Sequence, residues 1–462
     1  MEIGTALVYS SLVLATASVF LSLSHIYTKD RKQRTFARLL AYLCFWTTTA
    51  FFFLLVYYFL EPNLGIHYVH GHTSTAYPWY YKLTGLWAGE EGTIVLWVWL
   101  ISLSIAIEDA LQQRKGKKAE IDDKPVLLFD WIRAISMIIL ISFIVLLVYI
   151  DVFKSTSTLD MVSFPGGKGI NRLLLTPLMI AHPPVEFAAY AFMTLPLASA
   201  LAYLITGDKK WVGSSLQWSR LSWLFLSLGI GIGALWAYTV LGWGLYWGWD
   251  PVEVANLIPW IVLTGFVHTQ SYFRKRGQYN FLAPLLAVVT FVLIIFATFE
   301  TRSGFVASPL HAFTGLGSDI PDPGDRLVAI LEGNFGAGFF MMMMLAVLLV
   351  AGILFMWMFY NIRKREGSLK GVAGVFPSLY MISLAVLLLF AILDVASFTS
   401  LGLSVSNLIG FGNKGIGLTI LALLIIGIPI LWIIYTSQER EEDNEPLTLS
   451  SVINDKTTMI VT

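Results

Sequence analysis

Long apolar segments recur along almost the whole of this sequence, and they constrain its fold more than any other feature. A stretch of about 18 or more mostly apolar residues can cross the roughly 30 Å hydrocarbon core of a bilayer as a helix. Eleven segments meet this criterion: 3–25, 36–60, 93–111, 131–151, 183–206, 220–241, 257–273, 281–299, 337–361, 377–400 and 416–436. Charged residues make up only 13% of the chain, which is typical of membrane proteins. The sequence therefore predicts an all-α, polytopic membrane protein with about eleven transmembrane helices.

The basic residues indicate how these helices are oriented. Most of the 30 lysines and arginines fall in the connections on one side of the predicted membrane: 26–38, 112–133, 207–220, 274–280 and 361–376. Lys and Arg accumulate on the cytoplasmic side of membrane proteins. We therefore predict that the N-terminus is outside and the C-terminus inside, in a prokaryotic cytoplasmic membrane. The start of the chain lacks a basic signal-peptide region, so we expect the first span to be retained.

We expect one membrane domain at 1–436 and a polar, disordered cytoplasmic tail at 437–462, which begins with an acidic run. The composition excludes several classes of function. A single cysteine, Cys44, allows no structural disulfide, no redox pair and no thioether attachment of haem within the chain. A net charge of zero without any basic tract argues against nucleic acid as a partner.

Some of the 16 tryptophans are explained by the aromatic belt at the membrane–water interfaces, where indole rings lie at headgroup level. We assign Trp131, Trp211, Trp218, Trp223, Trp357 and Trp432 to such belts. The segment WGLYWGWDPVEVANLIPW (243–260) is different, because four large rings fall within seven positions of a connection on the outer side. Trp243, Tyr246, Trp247 and Trp249 predict an aromatic shelf, which suits a planar, apolar ligand such as haem.

The residues that follow the rings predict the start of a helix. Asp250 at the N-cap, Pro251 at the first position and Glu253 at the third form a strong helix-start pattern. This helix-start pattern accounts for both carboxylates without any ligand. It predicts that the seventh span begins at these residues.

Histidine is the commonest protein ligand of haem iron, and the chain contains seven. His182, in AHPPVEF, precedes the fifth span, and His311, in TRSGFVASPLHAF, lies in the outer connection after the eighth. Both are expected at the depth of the aromatic shelf, so they can approach one iron from opposite sides. His268 is predicted about eleven residues into the seventh span, and an ionisable residue within the membrane is a functional candidate.

The segment WAYTVLGWGLYWGWDPVEVANLIPW (236–260) resembles the tryptophan-rich WWD signature of the haem-handling proteins of cytochrome c biogenesis. The order of His182, the signature, His268 and His311 is similar to that of the CcmF-type haem lyase subunits within this group. YYKLTGLWAGEEGTIVLWVWL (80–100) and TRSG…LHAF (301–313) resemble further segments of that family. The resemblance covers roughly residues 77–313.

The resemblance implies roles for individual residues. His182 and His311 would be the axial ligands of an outer-face haem b, which is the substrate. The rings of Trp243, Tyr246, Trp247 and Trp249 would form its platform, and Trp236 and Asp250 of the signature are counted among the haem-binding residues. The nearest outer cations for the haem propionates are Arg302 and Arg172, of which we assign Arg302; the alternative is that its charge only marks the end of the eighth span. His268 would be one ligand of a second, membrane-buried haem b. The family's second membrane histidine lies in a later span, whereas no His follows His311 here, so that second ligand is open; Met341–Met344 are the alternative, and they fit apolar packing better.

The implied reaction is thioether attachment of haem to the CxxCH motif of an apocytochrome c. We expect the chain to act as one subunit of a haem lyase complex, with a haem chaperone and a thiol-handling, apocytochrome-binding subunit as partners and quinol as a candidate electron source. The alternative is a haem transporter or chaperone that presents haem without attaching it. A more distant alternative is an ion or quinone translocator that binds no haem.

Two features stay open at the level of sequence. Glu90 stands where the family usually carries a His, and this change affects either local electrostatics or a proton path. His67, His70 and His72 lie within six residues on an outer connection. Such a cluster can bind a metal ion, although histidines in loops more often serve no ligand.

Overall fold

A computed structural model describes residues 3–118, 127–240, 245–277, 279–303 and 335–365. The helices in these parts are α1 (Ile3–Thr28), α2 (Arg31–Leu60), α3 (His67–His72), α4 (Trp79–Gly85), α5 (Glu90–Lys118), α6 (Leu127–Ile150), α7 (Thr158–Ser163), α8 (Leu178–Phe192), α9 (Thr194–Thr206), α10 (Trp211–Val240), α11 (Pro251–Arg276), α12 (Leu282–Ser303) and α13 (Phe335–Arg365), with a 3-10 turn at Arg172–Leu174. The only strand-like pairing among the described residues is an isolated bridge between Ile66 and Ser155. The predicted all-α class is confirmed.

Nine helical segments of the described chain are long and apolar enough to cross a membrane. They are α1, α2, α5, α6, α8 with α9, α10, α11, α12 and α13, and they coincide with the first nine predicted spans. The two remaining predicted spans, 377–400 and 416–436, and the predicted tail 437–462 lie outside the described residues. The chain is thus a multi-pass membrane protein. We call the face at which α1, α5, α8 and α11 begin the outer face, after the predicted orientation.

The described residues fall into two compact units, and the candidate site belongs to the first. This unit comprises the described chain up to Met341. Of the second unit, the structure describes the remainder of α13, which is an apolar helix from Met342 onward.

The hairpin of α1 and α2 packs through small residues. The buried face of α1 carries Gly4, Val8, Ser11, Ala15, Ser18 and Ser22, which are spaced alternately by four and three positions. Helices in lipid gain little from burying apolar groups against each other, so close backbone approach and interhelical hydrogen bonds hold them together. Ser11 Oγ donates to Thr47 Oγ1 at 2.8 Å, and Ser18 Oγ donates to the carbonyl of Ala37 at 2.8 Å.

A buried ionic cluster joins α1, α2, α5 and α6 at the inner face. Arg133 donates to both Asp109, at 2.8 and 3.0 Å, and Asp130, at 3.1 Å. Arg34 Nε reaches Asp130 at 2.9 Å, and His25 Nε2 lies 3.5 Å from the same carboxylate. Charges buried in a membrane protein need partners of this kind. His25 is therefore occupied by a structural contact at the inner face.

Two outer connections, 61–89 and 151–177, are joined into one cap. Backbone hydrogen bonds link them repeatedly: His67 N to the carbonyl of Lys154, Thr156 N to that of Gly65, Thr75 N to that of Gly166 and Lys168 N to that of His70. Each connection alone is a loop of about thirty residues, but the joined cap has the backbone bonding of a small folded layer. It covers the outer ends of the helices next to α8.

Candidate functional site

The start of α11 has the capping geometry that its sequence predicts. Asp250 is the N-cap, its side chain accepts a hydrogen bond from Val252 N at 3.0 Å, and Glu253 completes a capping box. Glu253 Oε2 also accepts from Gly248 N at 2.9 Å, so it fixes the loop that precedes the helix. The seventh span therefore begins at Pro251 instead of 257. The local helix-start reading of Asp250 is confirmed; its contact with haem stays a prediction.

The structure brings together only part of the predicted aromatic shelf. The rings of Trp247 and Trp249 meet edge to face with centroids 6.0 Å apart. Tyr246 instead stacks on Tyr238 of α10, with centroids 4.4 Å apart and planes 11° apart. Trp243 lies outside the described residues. The shelf as described consists of two neighbouring ring pairs.

Trp249 combines exposure with backbone strain. Its side chain is 72% exposed, and its φ of 56° lies in the left-handed region. That region costs a bulky L-residue about 1–2 kcal/mol, and glycine normally occupies it. Strain of this kind often marks a functional position. The backbone strain at Trp249 is thus not offset by packing of its ring within the described residues.

The two prolines after His182 place α8 against α5. In a regular helix the amide of Pro183 would donate to the carbonyl of Met179, but proline has no N–H. The indole Nε1 of Trp87 donates to this carbonyl at 2.6 Å. Trp87 immediately precedes the turn into α5, so the HPP sequence and the LWAGEE sequence are joined by this bond. It fixes the part of α8 that carries His182.

His182 packs against α10. Its Nδ1 lies 3.0 Å from the carbonyl oxygen of Gly229, and its ring meets Trp236 edge to face with centroids 5.8 Å apart. This contact joins His182 to Trp236, the first ring of the signature segment, whereas their shared role at a haem stays a prediction. The imidazole is half-buried.

His182 and the start of α11 lie at similar depth. The hydroxyl of Tyr190 in α8 donates to Asn256 Oδ1 in α11, which sets the register of two helices that both run inward. A helix rises about 1.5 Å per residue. Measured along the helix axes toward the outer face, His182 is therefore about 12 Å from Tyr190, and Pro251 is about 8 Å from Asn256. The imidazole is thus within about 5 Å, along the helix axes, of the point where Trp249 enters α11.

Glu186 is a buried carboxylate near His182 that is not among the predicted site residues. It follows His182 by one helical turn and is 6% exposed. Its carboxylate lies beside the hydroxyl of Tyr190, which donates to Asn256 Oδ1. An ideal Cβ on Gly229 would lie 1.8 Å from Glu186 Oε2, so a larger residue at position 229 would force this carboxylate to move.

Arg302 lies in a buried contact that connects three helices. Its Nε is 3.3 Å from Glu90 Oε1, its guanidinium donates to Thr93 Oγ1 at 2.7 Å, and its Cζ lies 5.0 Å from the centroid of Phe340. Glu90 is thus the carboxylate partner of Arg302. The prediction that Arg302 pairs with a haem propionate stays untested.

His268 lies deeper than predicted. Because α11 begins at Pro251, this residue is about 25 Å along the helix from the outer end, compared with a predicted 16 Å. Its side chain is exposed. Met341 follows Phe340, which packs under Arg302 near the outer face, so it is not at the depth of His268. A membrane haem at His268 stays a prediction, and we derive no step through one. His311 lies outside the described residues.

The three outer histidines are held by three different partners. His70 Nε2 lies 2.9 Å from the carbonyl of Phe164, His72 Nδ1 lies 3.0 Å from that of Tyr68, and His67 Nδ1 lies 3.9 Å from Asp160. No group of three metal-ligating side chains occurs within the part of the chain that the structure describes. His70 and His67 thus contact the other connection of the cap, whereas His72 bonds within α3.

We expect the cap to lose stability in acid because of His72. Burial lowers the pKa of His72 below its ordinary value, against smaller raising contributions from the Tyr68 carbonyl and Glu91. The unfolded cap binds a proton at this position near pH 6.5. Stability should therefore be complete above that pH and fall as the pH drops through the interval down to the folded pKa, by at most about 1.4 kcal/mol per unit.

Hydrogen-exchange protection of residues 67–72 at pH 7.5 and 5.5 measures this effect. His72→Gln should remove most of the pH dependence. His67→Gln is the comparison and should remove only a small part, because His67 is exposed and is the smallest of the named contributions to the pKa of His72. Equal pH dependence in wild type and His72→Gln would contradict the assignment.

Comparison with known proteins identifies the family. Residues 87–306 match the family described as Cytochrome C assembly protein. The CcmF cytochrome c-type biogenesis protein of Pseudomonas aeruginosa is 31% identical over 337 residues, which cover 71% of this chain and 48% of that protein. The matched region, residues 87–306, belongs to this assembly family, and the chain is similar to CcmF-type proteins. The CcmF protein of Haemophilus influenzae is 32% identical over 280 residues, or 60% of this chain and 41% of that protein.

A solved structure agrees with this placement. The structure named Cytochrome c Heme Lyase CcmF has a TM-score of 0.53 and 25% sequence identity, and the match covers 78% of this chain and 56% of that one. The chain thus spans about half the length of its CcmF-type relatives. The resemblance inferred from the sequence motifs is confirmed, and the family match at residues 87–306 includes His182, the signature and His268.

Proposed function

We propose that the chain is a membrane subunit of a cytochrome c haem lyase, which holds substrate haem at the outer face for attachment to apocytochromes. The observation that carries this proposal is the position of His182. It contacts Trp236 and lies within about 5 Å, in depth, of the loop in which Trp247 and Trp249 meet. A nitrogen ligand beside exposed aromatic rings suits an iron porphyrin better than any apolar ligand without a metal.

The reaction is the addition of a thiol to a vinyl group, which has no leaving group and needs no oxidant. Each cysteine S–H of the CxxCH motif adds across one haem vinyl group. Sulfur bonds to the vinyl carbon next to the ring, and hydrogen goes to the terminal carbon. The addition changes no net oxidation state, so placing thiol and vinyl together can supply much of the acceleration.

The residues of this chain have positional tasks in this reaction. His182 would bind the iron, with His311 as the second ligand that the family resemblance implies. Trp236, Trp247 and Trp249, with Trp243 and Tyr246, would fix the porphyrin plane. Arg302 is retained as a candidate for a propionate, although its described donors point to Glu90 and Thr93. A membrane haem at His268 with quinol as electron source remains a separate proposal, which the outer site does not require.

The partners follow from what the chain does not supply. It has one cysteine, Cys44, which is fully buried, so the thiol chemistry must come from elsewhere. We propose a haem chaperone and a thiol-handling, apocytochrome-binding subunit that act at the outer face. A second candidate function, presentation of haem without attachment, uses the same groups and differs only in the last step.

Two measurements test the proposal in order. The absorption spectrum of the purified chain, oxidised and dithionite-reduced, should show haem with nitrogen ligands; a chain that binds no haem would exclude both candidate functions. Co-expression with a CxxCH apocytochrome in a host without its own maturation system then separates them. Covalent haem should appear only when the other maturation subunits are present and should depend on this chain; attachment that proceeds equally well without it would leave haem presentation as the better description.

A further inference from the structure

One face of α10 forms a seat for His182. Gly229, Gly233 and Trp236 are spaced by four and three positions, so they lie along one side of the helix. All three meet the imidazole: the Gly229 carbonyl at Nδ1, the backbone of Gly233 beside Cε1, and the indole of Trp236 edge to face. We call these three residues the α10 seat.

The seat decides which ring nitrogen carries the proton. A carbonyl oxygen can only accept a hydrogen bond, so the 3.0 Å contact with Gly229 requires a proton on His182 Nδ1. In the neutral imidazole the lone pair is then on Nε2. Histidines that bind metals are commonly oriented in this way, by a hydrogen bond from the other nitrogen to a carbonyl or carboxylate.

Gly233 provides the space for the ring in this orientation. An ideal Cβ on Gly233 would lie 3.0 Å from Cε1 and 3.6 Å from each ring nitrogen of His182. A methyl group there would press on the ring edge between the two nitrogens and displace it by a few tenths of an ångström. Gly231, two residues earlier on the other side of α10, has no atom within 4 Å of the corresponding position. The two glycines therefore differ in consequence although they lie in one GIGIG segment.

We propose that the Gly229 carbonyl and Gly233 are positioning groups that hold His182 as the Nδ1–H tautomer and direct Nε2 to its ligand. The identity of that ligand as haem iron rests on the proposed function, whereas the tautomer does not. Trp236 closes the remaining side of the ring, so rotation about the Cβ–Cγ bond would lose both the hydrogen bond and the ring contact.

The first test needs neither haem nor a variant at the seat. Nitrogen NMR of the full chain with ¹⁵N-labelled histidine, in lipid nanodiscs at pH 8, distinguishes the two neutral tautomers. His182→Gln assigns the signal by its loss. We expect the Nδ1–H form for His182; a predominant Nε2–H form would overturn the proposal.

The second test compares Gly233→Ala with Gly231→Ala. Gly231→Ala should leave the His182 signal and the haem ligand spectrum as in wild type. Gly233→Ala should shift or broaden that signal and weaken haem retention about tenfold, which is the scale of losing an orienting contact to a metal ligand. If Gly233→Ala matches wild type in both measurements, the seat does not position His182.

The two hypotheses fail in different ways. If no variant, including wild type, binds haem while the tautomer and the Gly233→Ala effect are as expected, the proposed function fails and the seat stands. If haem binds through His182 but Gly233→Ala has no effect on signal or spectrum, the seat fails and the proposed function stands. Should Gly233→Ala not fold, the wild-type tautomer alone still decides the inference.

Discussion

Replacing His182 with alanine should reduce haem retained by the purified chain by more than about tenfold, because it removes a direct ligand, which matters more than an outer-shell contact. The loss should be specific. The imidazole is half-buried against Trp236 and Gly229, and its removal leaves the bond between Trp87 and Met179 that holds α8 in place. The measurement is the haem-to-protein ratio together with the reduced-minus-oxidised spectrum.

Added imidazole should partly restore the spectrum of His182→Ala, because a small ligand can enter the space that the side chain leaves. The matched control is His67→Ala, which removes an exposed histidine of the cap that does not contact α8 through any described bond. Unchanged haem content and an unchanged spectrum in His182→Ala would exclude this residue as a ligand.

The sequence predicted the helices of the bundle well because transfer into lipid depends on local composition. Each of the first nine predicted spans has a counterpart in the structure. The helix start at Asp250 could also be predicted, because a capping box involves only four neighbouring residues. Both features depend on residues that are close in sequence.

Hydropathy could not predict which face of a span is buried. The assignment of Trp211 and Trp218 to the aromatic belt is wrong, because their side chains are buried inside the bundle, with exposures of 0% and 2%. Trp218 Nε1 donates to Glu108 Oε2 at 2.9 Å, across 110 residues of sequence. An indole ring has an apolar body and one hydrogen-bond donor, so it suits both the membrane interface and a polar cavity inside the bundle. Composition therefore does not distinguish a belt tryptophan from a buried one.

The contacts that shape the candidate site are also distant in sequence. The ion pair of Glu90 with Arg302 joins α5 to α12 across 212 positions, and the seat of His182 joins α8 to α10. A single sequence contains no signal for such pairs beyond residue type. The family resemblance predicts that His182 and the signature segment serve one haem, but it does not predict the glycine face of α10 or the buried Glu186.

Replacing Trp249 with glycine should change stability and function in opposite directions. Trp249 has a φ of 56°, a conformation that costs a bulky residue about 1–2 kcal/mol and costs glycine almost nothing. Its side chain is 72% exposed, so little packing within the chain is lost with the ring. Hydrogen-exchange protection of residues 248–253, which follow the loop into α11, should therefore stay equal or rise.

Haem retention should fall in the same variant, by about tenfold, since stacking on an aromatic ring contributes about 0.5–1.5 kcal/mol beyond the area it buries and the burial itself adds about as much again. Trp249→Phe keeps a ring at the position and should retain most of the haem, with the strain unchanged. Trp247→Ala removes the edge-to-face partner at 6.0 Å and tests whether Trp249 acts alone. If Trp249→Gly binds haem like wild type, the strained ring has no part in the site; if it lowers protection and haem together, Trp249 supports the loop, and the aromatic surface must be sought among the other rings of the signature.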